Sequence, residues 1–113
     1  MTLQDGGLAV IKKGFVMKVY EDQHEEYEKR HDEIWPELVG ELRKHGARNY
    51  SIFLDKETSQ LFGYVEIEDE ELWGKMSTTE INQKWWKYMA PLMETNSDDS
   101  PISKDLKPVF HMA

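Results

Sequence analysis

The sequence predicts an α+β domain on the split βαβ plan, a four-stranded antiparallel sheet with its helices on one face. Three observations carry this. The hydrophobic period changes in the order strand, broken helix, strand, strand, helix, strand. A polar stretch, Asp55-Lys56-Glu57-Thr58-Ser59, separates the second and third strand patterns as a hairpin loop would. The strands carry apolar residues on both parities although helices can cover only one side, so the second face needs a partner, and a homodimer packing sheet against sheet supplies it.

With 113 residues the chain is long enough for one core and too short for two. Fourteen basic residues against 22 acidic ones leave a formal charge of −8, a surface that repels phosphate backbones and anionic lipid, so neither nucleic acid nor a membrane is an expected partner. No apolar run approaches the roughly 18 residues that span a bilayer, and the N-terminus lacks a charged start followed by an apolar core, so a cytoplasmic location is expected. The absence of cysteine removes disulfides, thiolate metal sites and a cysteine nucleophile together. Four Trp, five Tyr and four Phe in so polar a chain need burial or something to stack on.

Taken in order, residues 1–9 have no period and read as a flexible leader, with a single domain over 10–113. Gly14 to Tyr20 alternates as a strand, with Phe15, Met17 and Val19 on one side. From Asp22, a possible N-cap, the period turns helical through His24-Glu25-Glu26-Tyr27-Glu28-Lys29-Arg30-His31. Pro36 lacks an amide donor and its ring clashes with the preceding turn, so the helix should break near Ile34 and Trp35 and a second segment should run from Pro36 to His45, stopped by Gly46 in the left-handed conformation. Arg48 to Leu54 forms the second strand, with Tyr50, Ile52 and Leu54 on one face, and Gln60 to Ile67 the third. Glu68 to Met76 reads as a short acidic helix, and Thr78 or Thr79 as the cap of a helix carrying Ile81, Trp85, Trp86, Tyr88 and Met89 that declines at Pro91. A loop over Thr95 to Ser103 then leads to a last short strand, Lys107 to Met112, with Pro108 at its start.

Two constellations carry chemistry. Tyr27 and His31, four apart, lie one above the other on a helix face. Such a pair is either a buried packing unit with a backbone partner, or an imidazole able to exchange a proton near neutral pH beside a phenol that holds substrate. Trp85 and Trp86 point about 100° apart, so both cannot lie deep in one core. At least one should wall a cleft, where an indole face can stack on a sugar's C–H face, or anchor a dimer interface. His24 and His31 are two turns apart, too far to grip one metal ion. The carboxylates Glu25, Glu26, Glu28 and Glu68 to Glu71 read as solvated helix faces, and His45 as a dipole partner at a helix C-terminus. There is no Gly-rich phosphate loop and no strand-turn-helix serine motif.

Several uncommon residues in fixed order add a resemblance. Phe15-Val16-Met17, the His24 to Leu38 stretch with Ile-Trp-Pro-Glu-Leu, His45-Gly46-Ala47, Asn49-Tyr50, Leu54-Asp55-Lys56, Val65-Glu66-Ile67 and Trp85-Trp86-Lys87-Tyr88-Met89 make the chain resemble the L-rhamnose mutarotase family from about Ile11 to Phe110. The resemblance implies a dimeric α/β barrel of ferredoxin-like protomers that interconverts the α and β anomers of L-rhamnose without a cofactor or metal. It implies His31 as the proton-donating residue, with Tyr27, Tyr50, Trp85 and Trp86 binding the sugar in a pocket between helices and sheet of each protomer. Two departures accompany it. Asp99 stands where Asn is common, and His111 where tyrosine is more usual. The competing readings are a non-catalytic sugar-binding module on the same fold, and a haem or aromatic-substrate monooxygenase with His31 as axial ligand.

Overall fold

The computed structural model describes residues 10–113; the leader expected over 1–9 lies outside them. Its strands are β1 (Ile11–Lys18), β2 (Ala47–Asp55), β3 (Gln60–Ile67) and β4 (Lys104–Leu106), and its helices α1 (His24–Asp32), α2 (Pro36–Lys44), α3 (Glu70–Gly74) and α4 (Glu80–Met89). The sheet order is β2-β3-β1-β4, with every neighbouring pair antiparallel. This is the α+β plan read from the sequence.

The pairing of β1 with β3 sets which residues face the helices. Phe15, Met17, Leu61, Val65 and Ile67 share that side, and the core they form is closed by Tyr27, Leu38, Met76, Trp85 and Met89 from the helices. Leu61, Ile67, Val19 and Val65 are less than 2% exposed, and burial of each contributes about 1.5–3 kcal/mol. On the opposite side Val16 of β1, Phe62 of β3 and Phe53 of β2 stand in one cross-strand row, with Tyr64 and Leu106 in the next. Phe53 is 67% exposed there, so this face is apolar and open.

Several boundaries differ from the sequence reading. β1 starts three residues before Gly14, because Lys12 and Lys13 continue the strand and Lys13 Nζ reaches Glu70 of α3 at 3.0 Å. It ends at Lys18; Val19 makes an isolated bridge with Met93 instead. Asp22 is not the cap of α1, since a 3₁₀ turn over Glu21–Gln23 precedes that helix, its Gln23 amide bonding the Tyr20 carbonyl. The acidic helix is shorter than Glu68 to Met76, because the Asp69 carboxylate caps it at the Leu72 amide and Lys75–Thr78 tightens to 3₁₀. Thr79 precedes α4 but its hydroxyl donates to the Met76 carbonyl and caps nothing. The last strand is Lys104–Leu106 and not Lys107 to Met112, because Pro108 has no amide to donate and disfavours regular pairing beside it. Val109 and Phe110 beyond it are 86% and 82% exposed.

The break before Pro36 falls as expected. Trp35 is extended at φ −65°, ψ 127°, Pro36 opens α2, and Gly46 ends it at φ +87°. Two backbone features then shape the cavity side of the sheet. In β2, Arg48 pairs with Glu66 and Ser51 with Tyr64, so Asn49 and Tyr50 together oppose Val65 alone, and this bulge turns Tyr50, Ile52 and Leu54 toward the helices. In β3, a Cβ on Gly63 would overlap the Phe15 ring; the bare glycine lets that ring cross β3 and meet the Tyr50 ring edge-on, with centroids 6.1 Å apart.

Gly63→Ala must therefore push Phe15 aside and should cost about 1–3 kcal/mol of unfolding free energy. Gly40→Ala in α2, whose Cβ meets nothing within 4 Å, should gain about 0.5–1 kcal/mol. Urea unfolding midpoints of the two variants should move in opposite directions.

Candidate active site

The helix layer and the sheet enclose a cavity of about 800 Å³, and Tyr27, His31, Tyr50, Trp85 and Trp86 all line it. α1 contributes Tyr27 and His31 from one face. His31 Nδ1 lies 3.0 Å from the Tyr27 carbonyl oxygen, and because a carbonyl only accepts, that nitrogen carries the proton. The lone pair of the neutral ring is thereby assigned to Nε2. The Tyr27 and His31 rings stack at 4.4 Å and 32°, and Trp85 of α4 meets His31 edge-on at 5.4 Å. Trp35, at the α1–α2 break, packs against Trp85 at 5.0 Å and against Tyr88 at 5.3 Å.

α1 is fastened to α4 by Arg30. Its Nε donates to Glu26 at 2.7 Å, its Nη1 donates to the Tyr88 carbonyl, and its guanidinium lies 4.0 Å over the Tyr88 ring. The histidine wall and the tryptophan wall are thus held at a set separation. Trp85 is buried at 8% exposure, whereas Trp86 is half-buried on the cavity, which is the division that adjacent helical positions require. Tyr50 enters from the sheet, 40% exposed, its ring edge-on to Phe15 and to Trp73 at 6.5 Å.

Burial governs the titration of the site. It pushes His31 below the ordinary imidazole value, an effect only partly offset by the Tyr27 carbonyl and by Asp32. Desolvation raises Tyr27 far above the ordinary phenol range and takes Tyr50 up to about 12. At neutral pH the cavity therefore presents an uncharged imidazole and two protonated phenols.

His24 also lines the cavity, and its Nε2 is 2.8 Å from the hydroxyl of Ser59, a buried residue at φ +63° in the β2–β3 turn. In sequence it stands three before Tyr27 and seven before His31, a spacing visible as one helix face but weighed above only for metal binding. Asp99 and Pro101 reach the same cavity from the loop after α4. Phe15 and Trp35 were readable as apolar, but their contacts with site rings depend on Gly63 and on the helix break.

A family model described as L-rhamnose mutarotase matches residues 12–112. L-rhamnose mutarotase of Oceanobacillus iheyensis is 73% identical over 101 residues, 89% of this chain and 97% of that protein. The Bacillus subtilis protein of the same name is 59% identical over the same shares of both chains. The crystal structure of an L-rhamnose mutarotase from Formosa agariphila superposes with a TM-score of 0.84 at 39% identity, covering 91% of this chain and 99% of that one. A dimeric ferredoxin-like protein from an uncultured marine organism shares the fold alone, with a TM-score of 0.62 at 15% identity over 93% and 97% of the two chains. The chain belongs to the L-rhamnose mutarotase family.

Proposed function

We infer that this protein is an isomerase that interconverts the α and β anomers of L-rhamnose by acid–base ring opening and reclosure. The observation that carries the site assignment is the convergence of Tyr27, His31, Tyr50, Trp85 and Trp86 on one cavity between helices and sheet. A neutral sugar needs no basic patch, and aromatic faces beside a few hydrogen-bonding groups suit a ring with apolar C–H faces and a hydroxyl rim.

His31 is assigned the proton transfers, and it begins as a base. The expectation from resemblance made it the donor, but a neutral ring whose Nδ1 proton is committed to the Tyr27 carbonyl has no proton on Nε2 to give. Nε2 accepts the proton of the anomeric hydroxyl as the bond between C1 and the ring oxygen breaks and the C1 carbonyl forms. The imidazolium then gives that proton to the departing ring oxygen, leaving the open aldehyde. Rotation about C1–C2 and the reverse transfers close the ring on the other face. Both oxygens sit on the same carbon, so one nitrogen can serve both, and proton donation is the second half of its cycle. Tyr27 and Tyr50 stay protonated and donate hydrogen bonds that hold the sugar, and Trp86 provides a stacking face.

A homodimer and a cytoplasmic location belong to this reading. The row of Val16, Phe62 and Phe53 on the open face supports sheet-to-sheet packing between two copies. Among the described residues no helix is long and apolar enough to cross a membrane.

Saturation-transfer NMR between the anomeric protons should show enzyme-catalysed exchange for L-rhamnose and weaker exchange for fucose, mannose and galactose. A protein that broadens these lines without exchanging them is a binder and not an enzyme. His31→Ala should lower kcat/KM about 10²–10⁴-fold with an unchanged circular dichroism spectrum. Activity of the parent should be level at neutral pH and fall tenfold per unit as pH drops through the depressed His31 pKa, because protonation removes the base. A histidine starting as the acid would instead lose activity as pH rises through that value. Light scattering should give about twice the 13.4 kDa chain mass, and Phe62→Glu on the open face should shift it toward monomer.

A further inference from the structure

The geometry points to Glu66 as a positioning residue for Tyr50, acting through Asn49 from the side of the sheet opposite the cavity. Tyr50 faces the cavity only because β2 carries one residue more than β3 between the Arg48–Glu66 and Ser51–Tyr64 pairs. In a regular strand the helix-facing series starting at buried Ala47 would continue through Asn49 and Ser51, and Tyr50 would point to the open face. The bulge is formed at Asn49, which stands at φ +50°, a left-handed conformation that side chains other than Asn and Gly adopt at a cost.

That residue is tied down. Asn49 Nδ2 donates to Glu66 Oε1 at 2.9 Å, and the Tyr64 hydroxyl donates to Glu66 Oε2 at 2.7 Å, so both carboxylate oxygens are occupied. The hydrogen bond from Asn49, and then that from Tyr64, hold the Glu66 carboxyl below the usual carboxylate range, so it accepts from both donors at neutral pH. On the far side of the bulge, Tyr50 is met by Phe15 and Trp73. Glu66 and Tyr64 belong to the face of β3 that carries Phe62, away from the cavity, and neither lines it. Glu66 therefore influences the reaction through where it holds Tyr50, not by contact with the sugar.

This rests on the reading of Tyr50 as a sugar-binding residue, and a double-mutant cycle separates the two. Kinetics on L-rhamnose would be measured for Glu66→Ala, Glu66→Gln, Tyr50→Ala and the Glu66→Ala/Tyr50→Ala double variant, each checked for an intact fold by circular dichroism. Glu66→Ala should lower kcat/KM about 10- to 100-fold, mainly through KM. Glu66→Gln, whose amide oxygen still accepts from Asn49, should recover most of that. In the Tyr50→Ala background Glu66→Ala should change kcat/KM by less than about twofold, because the side chain it positions is gone. Effects that multiply in the double variant, or a Glu66→Ala enzyme equal to the parent, overturn the positioning role while leaving Tyr50 as a binder. A Tyr50→Ala enzyme equal to the parent overturns the Tyr50 assignment and this inference with it.

Should Glu66→Ala fail to fold, Asn49→Gly decides. Glycine tolerates φ +50° and should leave stability unchanged or higher, yet it removes the amide, so KM should still rise, and because Asn49 also borders the cavity that rise should vanish in the Tyr50→Ala background if the amide acts through Tyr50. An Asn49→Gly variant with the parent's KM rejects the inference.

Discussion

The register of β1 against β3 is the constraint on which the rest of the molecule depends. It sets Phe15 opposite Gly63 and Met17 opposite Leu61, and a shift by one residue would turn the apolar set of one central strand to the face opposite that of the other. Because Gly63 has no side chain, Phe15 crosses it and reaches a tyrosine on the next strand. A residue of β1 thus shapes a wall formed by β2.

The helix layer meets this sheet as a second rigid wall. Pro36 ends the segment bearing Tyr27 and His31 and starts another with Trp35 at the corner, where that indole packs on Trp85. Arg30 joins α1 to α4 by one hydrogen bond to the Tyr88 carbonyl and a contact with the Tyr88 ring, while Glu26 of its own helix holds the guanidinium in place. Binding a monosaccharide without large rearrangement requires such walls, since ordering them at the moment of binding would subtract from affinity.

The titration pattern follows from the same enclosure. A half-buried imidazole whose one proton is given to a backbone carbonyl has a defined tautomer and a defined basic nitrogen, and two phenols, protonated at neutral pH and held further from ionisation by desolvation, are defined donors. Mutarotation transfers a proton between two oxygens on one carbon and changes no oxidation state. The proposed residues therefore meet its requirements with neutral groups, and an overall charge of −8 does not oppose the binding of an uncharged sugar.

The sequence by itself determined the order and type of the elements, the break at Pro36, the left-handed stop at Gly46 and the shared face of Tyr27 and His31, because each follows from periodicity or from one residue's backbone restriction. Uncommon residues in fixed order, Tyr50 and Trp85-Trp86 among them, carried the family and its expected site. Strand ends were less legible. Lys12 and Lys13 look like surface yet continue β1, since the partner of Lys13 is Glu70, distant in sequence. Pro108, readable as a strand start, in fact lies beyond the last strand. Only the tertiary structure decided that Tyr50 faces the cavity through a bulge at Asn49, that Nδ1 of His31 holds the proton, and that of the two indoles lining the cavity Trp85 is buried and Trp86 half-buried. Each of these depends on a backbone register or on a neighbour brought in from elsewhere in the fold, and local spacing carries no information about either.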